Sequence, residues 1–150
     1  MKIGLISDTH GLLRPAALEA LRGCQQLVHA GDIGKPEILD ALRALAPLTV
    51  VRGNNDPAPR WPGVAAEQSV RCGEIGLYVT HETADIPRPL PPGTDVVVTG
   101  HSHKPLEQWR DGVLFVNPGS AGPRRFKLPI SVALLHVQGR EIRVEFVPLA

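Results

Sequence analysis

The chain has 150 residues, of which 43% are hydrophobic, 21% charged and 4% aromatic, with a formal net charge of +1. That length fits one compact domain over residues 1–150, able to bury its own core without disulfides. The near-neutral charge and scarce aromatics argue against a surface for long nucleic acid or a base-stacking platform.

No apolar run approaches the ~18 residues of a membrane helix, and no signal-peptide core follows the N-terminus. Cys24 and Cys72 stand far apart and outside any CxxC pair, so they read as inert thiols in a reducing compartment. A cytoplasmic location is the expectation. Residues 3–6 form a short apolar run that predicts a buried strand ending in Ser7-Asp8-Thr9-His10-Gly11. Residues 15–22 predict a short helix begun by Pro15 and stopped by Gly23. The next strand, 26–30, ends in Gly31-Asp32; His29 lies inside it and reads as a packed imidazole rather than a ligand. Ile38, Leu39, Leu42 and Leu45 follow the helical period over 36–46, between Pro36 and Pro47. A third strand, 48–51, leads into Arg52-Gly53-Asn54-Asn55-Asp56-Pro57.

Three strand–helix alternations, each strand ending in a polar ligand type, fit parallel strand–helix–strand units. Such sheets bind ligands beyond the carboxyl ends of their strands. After Asp56 the texture changes. A proline-rich loop precedes a hairpin over 68–72 and 75–80, and the second hairpin strand ends in His81. Residues 87–92 hold four prolines and cannot form a regular helix. Strand 95–99 ends in Gly100-His101-Ser102-His103, strand 113–116 in Asn117-Pro118-Gly119-Ser120, and two final strands cover 130–137 and 142–147.

The groups collected at strand ends are Asp8, His10, Asp32, Asn54, His81, His101 and His103. Seven oxygen and nitrogen donors exceed what one open catalytic ion needs. They suit two ions sharing a carboxylate, and Asp32, in the middle of the order, is the natural bridge. Imidazole with carboxylate and no thiolate argues against a structural zinc knot. The donor set suits Mn, Fe, Zn, Co or Ni and does not choose among them; of the divalent candidates, Mg included, manganese is the favoured expectation. Two such ions acidify a shared water and clamp the oxygens of a displacement at phosphorus.

In that order, Asp8-x-His10, Gly31-Asp32, Gly53-Asn54-x-Asp56, His81 and Gly100-His101-x-His103 resemble the calcineurin-like metallophosphoesterases. With Asn117-Pro118-Gly119-Ser120 and the short length, the chain resembles their small, single-domain phosphodiesterase branch. The resemblance implies a four-layer α/β/β/α sandwich. It implies one ion on Asp8, His10, Asp32 and His103 and a second on Asp32, Asn54, His81 and His101. It also implies phosphodiester hydrolysis by a hydroxide bridging the ions, with Asp32, Asn54 and His101 closest to the chemistry and a small phosphoester as substrate. The alternative is a non-catalytic interaction scaffold of the same fold, as in a trafficking-complex subunit.

Three departures from the family pattern carry expectations. Asn55 stands where many members have a proton-donating histidine, which favours diesters with good leaving groups over alkyl monoesters. Glu82 and Thr83 stand where the family reads Gly-His, placing a negative charge beside the centre. Residues 82–94 are too few and too proline-rich for the usual outer helix, so that helix is expected to be reduced or missing. The sheet face it would cover is then shielded by the proline loop or by a second copy of the chain. Asp56 reads as a residue that orients a ligand.

Overall fold

Buried apolar runs alternate with proline-started helices in the computed structural model, which describes residues 1–149. They give β1 (Lys2–Ile6), α1 (Pro15–Leu21), β2 (Gln26–His29), α2 (Pro36–Arg43) and β3 (Leu48–Val50). Pro15 and Pro36 open their helices, where proline loses no donor that a helix would use. α2 buries Ile38, Leu39 and Leu42. It ends at Arg43, short of the expected 46. Proline disfavours helical backbone in the residue before it, so Pro47 loosens the last turn. The Ala46 amide still reaches the Leu42 carbonyl at 3.3 Å.

The second half supplies β4 (Glu67–Cys72), β5 (Ile75–Thr80), β6 (Val96–Val98), β7 (Leu106–Arg110), β8 (Val113–Asn117), β9 (Ser131–Gln138) and β10 (Glu141–Pro148). One sheet has the order β10-β9-β1-β2-β3, with β1, β2 and β3 parallel; the other has β4-β5-β6-β8-β7, with β5, β6 and β8 parallel. Their inner faces meet through Ile3, Leu5 and Val28 on one side and Leu77, Val79, Val98 and Val116 on the other. Ile6, Leu27 and Val50 pack outward against Ala17, Leu21, Leu39 and Leu42 of the two helices.

The fourth layer is reduced, as expected. After β5 there is only a 3₁₀ turn, Thr83–Asp85, before the proline segment. That segment lies along the second sheet's outer face. Ile86, Pro87 and Leu90 border a cavity of about 360 Å³ with Thr99, Val113 and Phe115. The proline segment therefore does part of the covering a helix would do. β7 was not expected. Its sequence is mostly polar and every residue is exposed, so no apolar alternation marks it. It forms by pairing with β8 as an edge strand, and its charges guard that edge.

Candidate metal centre

The parallel strands of both sheets point their carboxyl ends to one edge. Asp8 and His10 follow β1, Asp32 follows β2, Asn54 follows β3, His81 follows β5, and His101 and His103 follow β6. Among the described residues, seven non-glycine residues have left-handed backbone, and five of them belong to this group. They are Asp8 (φ 55°), His10 (46°), Asp32 (57°), His101 (71°) and His103 (63°). Each costs of order 1–3 kcal/mol and persists only where its surroundings impose it. Here cross-strand bonds do so: Asp8 N–H to the Gly31 carbonyl, His10 N–H to Asp32, both 2.9 Å, and Gly100 N–H to His81, 3.0 Å. The left-handed turns break strand alternation and let residues i and i+2 converge.

Two groups result, Asp8 with His10 and His103, and Asp32 with His81 and His101. In the first, Asp8 Oδ1 lies 3.3 Å from His103 Nε2 and 3.7 Å from His10 Nε2, and the two ring nitrogens are 3.4 Å apart. In the second, Asp32 Oδ2 is 3.2 Å from His81 Nε2, and His101 Nδ1 is 3.2 Å from Asn54 Oδ1. Asp32 Oδ2 also lies 3.6 Å from His10 Nε2, so one oxygen faces both groups.

The donor set fits a cation. A carbonyl only accepts, so the 2.7 Å contact of His81 Nδ1 with the Ala30 oxygen fixes the ring proton at Nδ1. In the neutral ring, Nε2 then presents a lone pair to a carboxylate oxygen 3.2 Å away. Among the described residues, His81 Nε2 and Asp8 Oδ1 are buried without a hydrogen-bond partner. Facing lone pairs repel, and a proton or a metal ion between them removes the conflict. Burial opposes a charged His81, yet the Asp32 carboxylate, the Ala30 carbonyl and Asp8 outweigh it and raise its pKa. Asp8 raises that of His10, against burial. Burial disfavours the charged form of Asp8 and of Asp32, but hydrogen bonds and the neighbouring imidazoles hold both below the usual carboxylate range. A cation held by His10 and His81 would therefore compete with protons, while the surroundings favour the ionised form of both carboxylates.

A supporting shell holds these groups. Asp56 is 2% exposed. Its carboxylate accepts from Ile33 N–H (3.0 Å) and Gly53 N–H (2.8 Å), tying the Asp32 loop to the Asn54 loop. Asn55 donates its backbone N–H to Asp32 Oδ1 at 2.9 Å and its side-chain amide to Oδ2 at 3.2 Å. Asp8 Oδ2 accepts from Ser7 Oγ (2.7 Å) and His101 N–H (3.1 Å), which leaves Oδ1 for the centre. Asn117 donates to the Gly100 carbonyl at 2.9 Å and to Ser102 Oγ at 3.1 Å, pinning the His101 turn. A Cβ on Gly53 would collide with the Asp32 carboxylate, and one on Gly100 with Ser7 and Asp8. Glu82 faces the outer edge of His101, with Oε1 3.3 Å from Nε2, so its charge meets an imidazole. Ser7 and Asn117 had no role from sequence, where only the hydroxyl beside Asp8 hinted at one.

His29 is fully buried and neutral. It accepts at Nδ1 from Gly31 N–H (3.1 Å), so Nε2–H donates to Thr9 Oγ1 (3.0 Å), which donates to the Ile33 carbonyl (2.7 Å). Burial pushes its pKa from 6.5 down to about 4. The unfolded chain therefore binds this proton first. The stabilising effect is complete above pH 6.5 and is lost as pH falls towards 4, on the order of 3 kcal/mol in all. Other histidines here titrate in the opposite sense, so the test is a difference. In urea unfolding without metal, the advantage of the parent over His29→Gln should shrink by about that amount between pH 7 and pH 4. A pH-independent difference contradicts the assignment.

Carboxylates, imidazoles and one amide gathered where two sheets end are the equipment of a metal-dependent hydrolase. A model of the calcineurin-like phosphoesterase superfamily domain matches residues 1–140, and the chain belongs to that family. It is similar to a probable metallophosphoesterase of Methanothermobacter thermautotrophicus, 32% identical over 162 residues covering 98% of this chain and 92% of the relative. It also resembles the Escherichia coli phosphodiesterase YfcE, 31% identical in sequence over 90% of this chain and 87% of the relative. The solved YfcE structure superposes with a TM-score of 0.72 at 28% identity over the full length of both chains. A Vps29 variant from Entamoeba histolytica gives a TM-score of 0.73 at 25% identity, again over both full chains.

Proposed function

We propose that the protein is a dinuclear metal-dependent phosphodiesterase acting on small phosphoesters in the cytoplasm. The observation that carries this reading is the single oxygen, Asp32 Oδ2, facing His10 Nε2 at 3.6 Å and His81 Nε2 at 3.2 Å. Asp8, His10, Asp32 and His103 would hold one ion, and Asp32, Asn54, His81 and His101 the other. When bound, two divalent ions, Mn²⁺ first among the candidates, supply an acidified water and charge stabilisation at phosphorus.

The chain's own residues set the rest. The Ala30 carbonyl holds His81 in the tautomer whose Nε2 lone pair faces the centre. Asn55 steadies Asp32 and can donate a hydrogen bond to a phosphoryl oxygen, but a neutral amide releases no proton near neutral pH. The leaving group must therefore depart without help from a protein acid. General-acid assistance contributes at least about 10²-fold to expulsion of poor leaving groups. With Mn²⁺, kcat/KM for bis(p-nitrophenyl) phosphate is expected to exceed that for glycerol phosphate by about that factor. The reverse order would contradict the reading.

The non-catalytic scaffold draws on the fold likeness to Vps29. The full set of ligand-type residues around one edge favours catalysis over it.

A further inference from the structure

The proline segment and the outer face of the second sheet enclose a cavity of about 360 Å³, and none of the seven ligand-type residues borders it. That volume lies at the lower end of the roughly 300–1,000 Å³ of small-molecule sites. Its proline wall is held at both ends. Ile86 N–H donates to the Thr83 carbonyl at 3.2 Å before the segment, and Thr94 Oγ1 donates to the Pro91 carbonyl at 2.7 Å after it. The prolines between fix φ along the wall. Leu90, Val113 and Phe115 give the interior an apolar lining.

Charge is gathered at the rim. Arg88, Arg110 and Asp111 border the cavity and are exposed. The Arg110 guanidinium lies over the Phe115 ring, 4.4 Å from its centroid, a cation–π placement that holds it against the apolar lining. Its Nη2 donates to Gln108 Oε1 at 3.3 Å, which leaves its other N–H groups for a ligand. Among the described residues, guanidinium–carboxylate pairs are made by Arg22 with Glu19 and by Arg140 with Asp95. Neither Arg88 nor Arg110 has such a partner, although Asp111 borders the same cavity. Two guanidinium groups against one carboxylate leave positive charge in excess at the mouth.

We propose that this cavity binds a small organic monocarboxylate, its apolar body inside against Leu90, Val113 and Phe115 and its carboxylate at the mouth with Arg88 and Arg110. Guanidinium forks match carboxylate oxygens. The lining takes the apolar body out of water. Asp111 opposes the second charge of a dianion such as a phosphate monoester. The site is separate from the metal centre and stands whether or not the chain is a phosphodiesterase.

Calorimetric titration with 2-naphthoate tests this. The Mn²⁺-loaded protein should bind it at a single site with a Kd below about 1 mM. Binding of 2-naphthylmethanol, which lacks the charge, and of acetate, which lacks the body, should be weaker by about fivefold or more. The double variant Arg88→Gln with Arg110→Gln should lose about tenfold. Asp111→Asn should bind about twofold more tightly, and asparagine suits the left-handed turn position, φ 51°, before Gly112. The affinity should be unchanged in EDTA, because no metal takes part. No saturable binding by the parent, equal affinity for the alcohol, undiminished binding by the double variant, or binding lost in EDTA overturns the proposal. A parent that binds no naphthoate yet self-associates in sedimentation, where the double variant does not, also overturns it and gives this face to a second copy of the chain.

Discussion

Asp32→Asn is expected to lower metal-dependent phosphodiester turnover by about 10³-fold, equivalent to ~4 kcal/mol of transition-state stabilisation. The substitution keeps the shape of the side chain. Its carbonyl can still accept the Asn55 N–H that now bonds Asp32 Oδ1 at 2.9 Å. What is lost is the charge on the oxygen facing both His10 and His81. An amide cannot bridge two cations as a carboxylate does, so the variant should retain fewer ions than the parent. Steady-state kinetics in saturating Mn²⁺, with circular dichroism to check the fold, measures this. Turnover within about threefold of the parent would remove Asp32 from the centre.

Asp56→Ala should produce the largest loss of stability among changes near the centre, about 3 kcal/mol or more. The carboxylate is nearly inaccessible and accepts three backbone N–H groups: Ile33 and Gly53 at 3.0 and 2.8 Å, and Gly34 at 3.4 Å. Each buried donor left without a partner costs about 1–3 kcal/mol. At this chain length the midpoint of thermal unfolding should fall by roughly 6–12 °C. The effect must appear in EDTA, because the carboxylate acts on backbone rather than on metal. Asp56→Asn keeps one acceptor and should lose about half as much. A midpoint within about 2 °C of the parent for the alanine variant would mean that the two loops hold their places without it.

Much of this arrangement is legible in the amino-acid sequence. Ile3 to Ile6, Gln26 to Ala30 and Val96 to Val98 announce strands by apolar runs, and each ends where glycine meets a ligand-type side chain. The structure brings Asp8, His10, Asp32, Asn54, His81, His101 and His103 to one edge because those strands are parallel within their sheets. The proline content of 87–92 is likewise enough to exclude an outer helix.

Other features were not legible, for physical reasons. β7 has no apolar periodicity, because an edge strand with no buried side chain leaves no pattern. The left-handed backbone at five ligand-type positions is imposed by bonds between strands far apart in sequence, such as Asp8 to Gly31 and Gly100 to His81. Glu82 threatened the centre with an extra negative charge on spacing alone. Its pairing with the outer edge of His101 depends on how the turn Thr83–Asp85 leaves β5.

The most direct measurement of the central claim is a count of ions and a rate on the same sample. Metal-stripped protein is titrated with Mn²⁺, dialysed against buffer, and assayed for bound metal by elemental analysis and for turnover of bis(p-nitrophenyl) phosphate. A dinuclear centre shared through Asp32 predicts two ions per chain and turnover that rises with their occupancy. Turnover undiminished after stripping, or a saturated protein that binds less than one ion per chain and hydrolyses nothing, would contradict it.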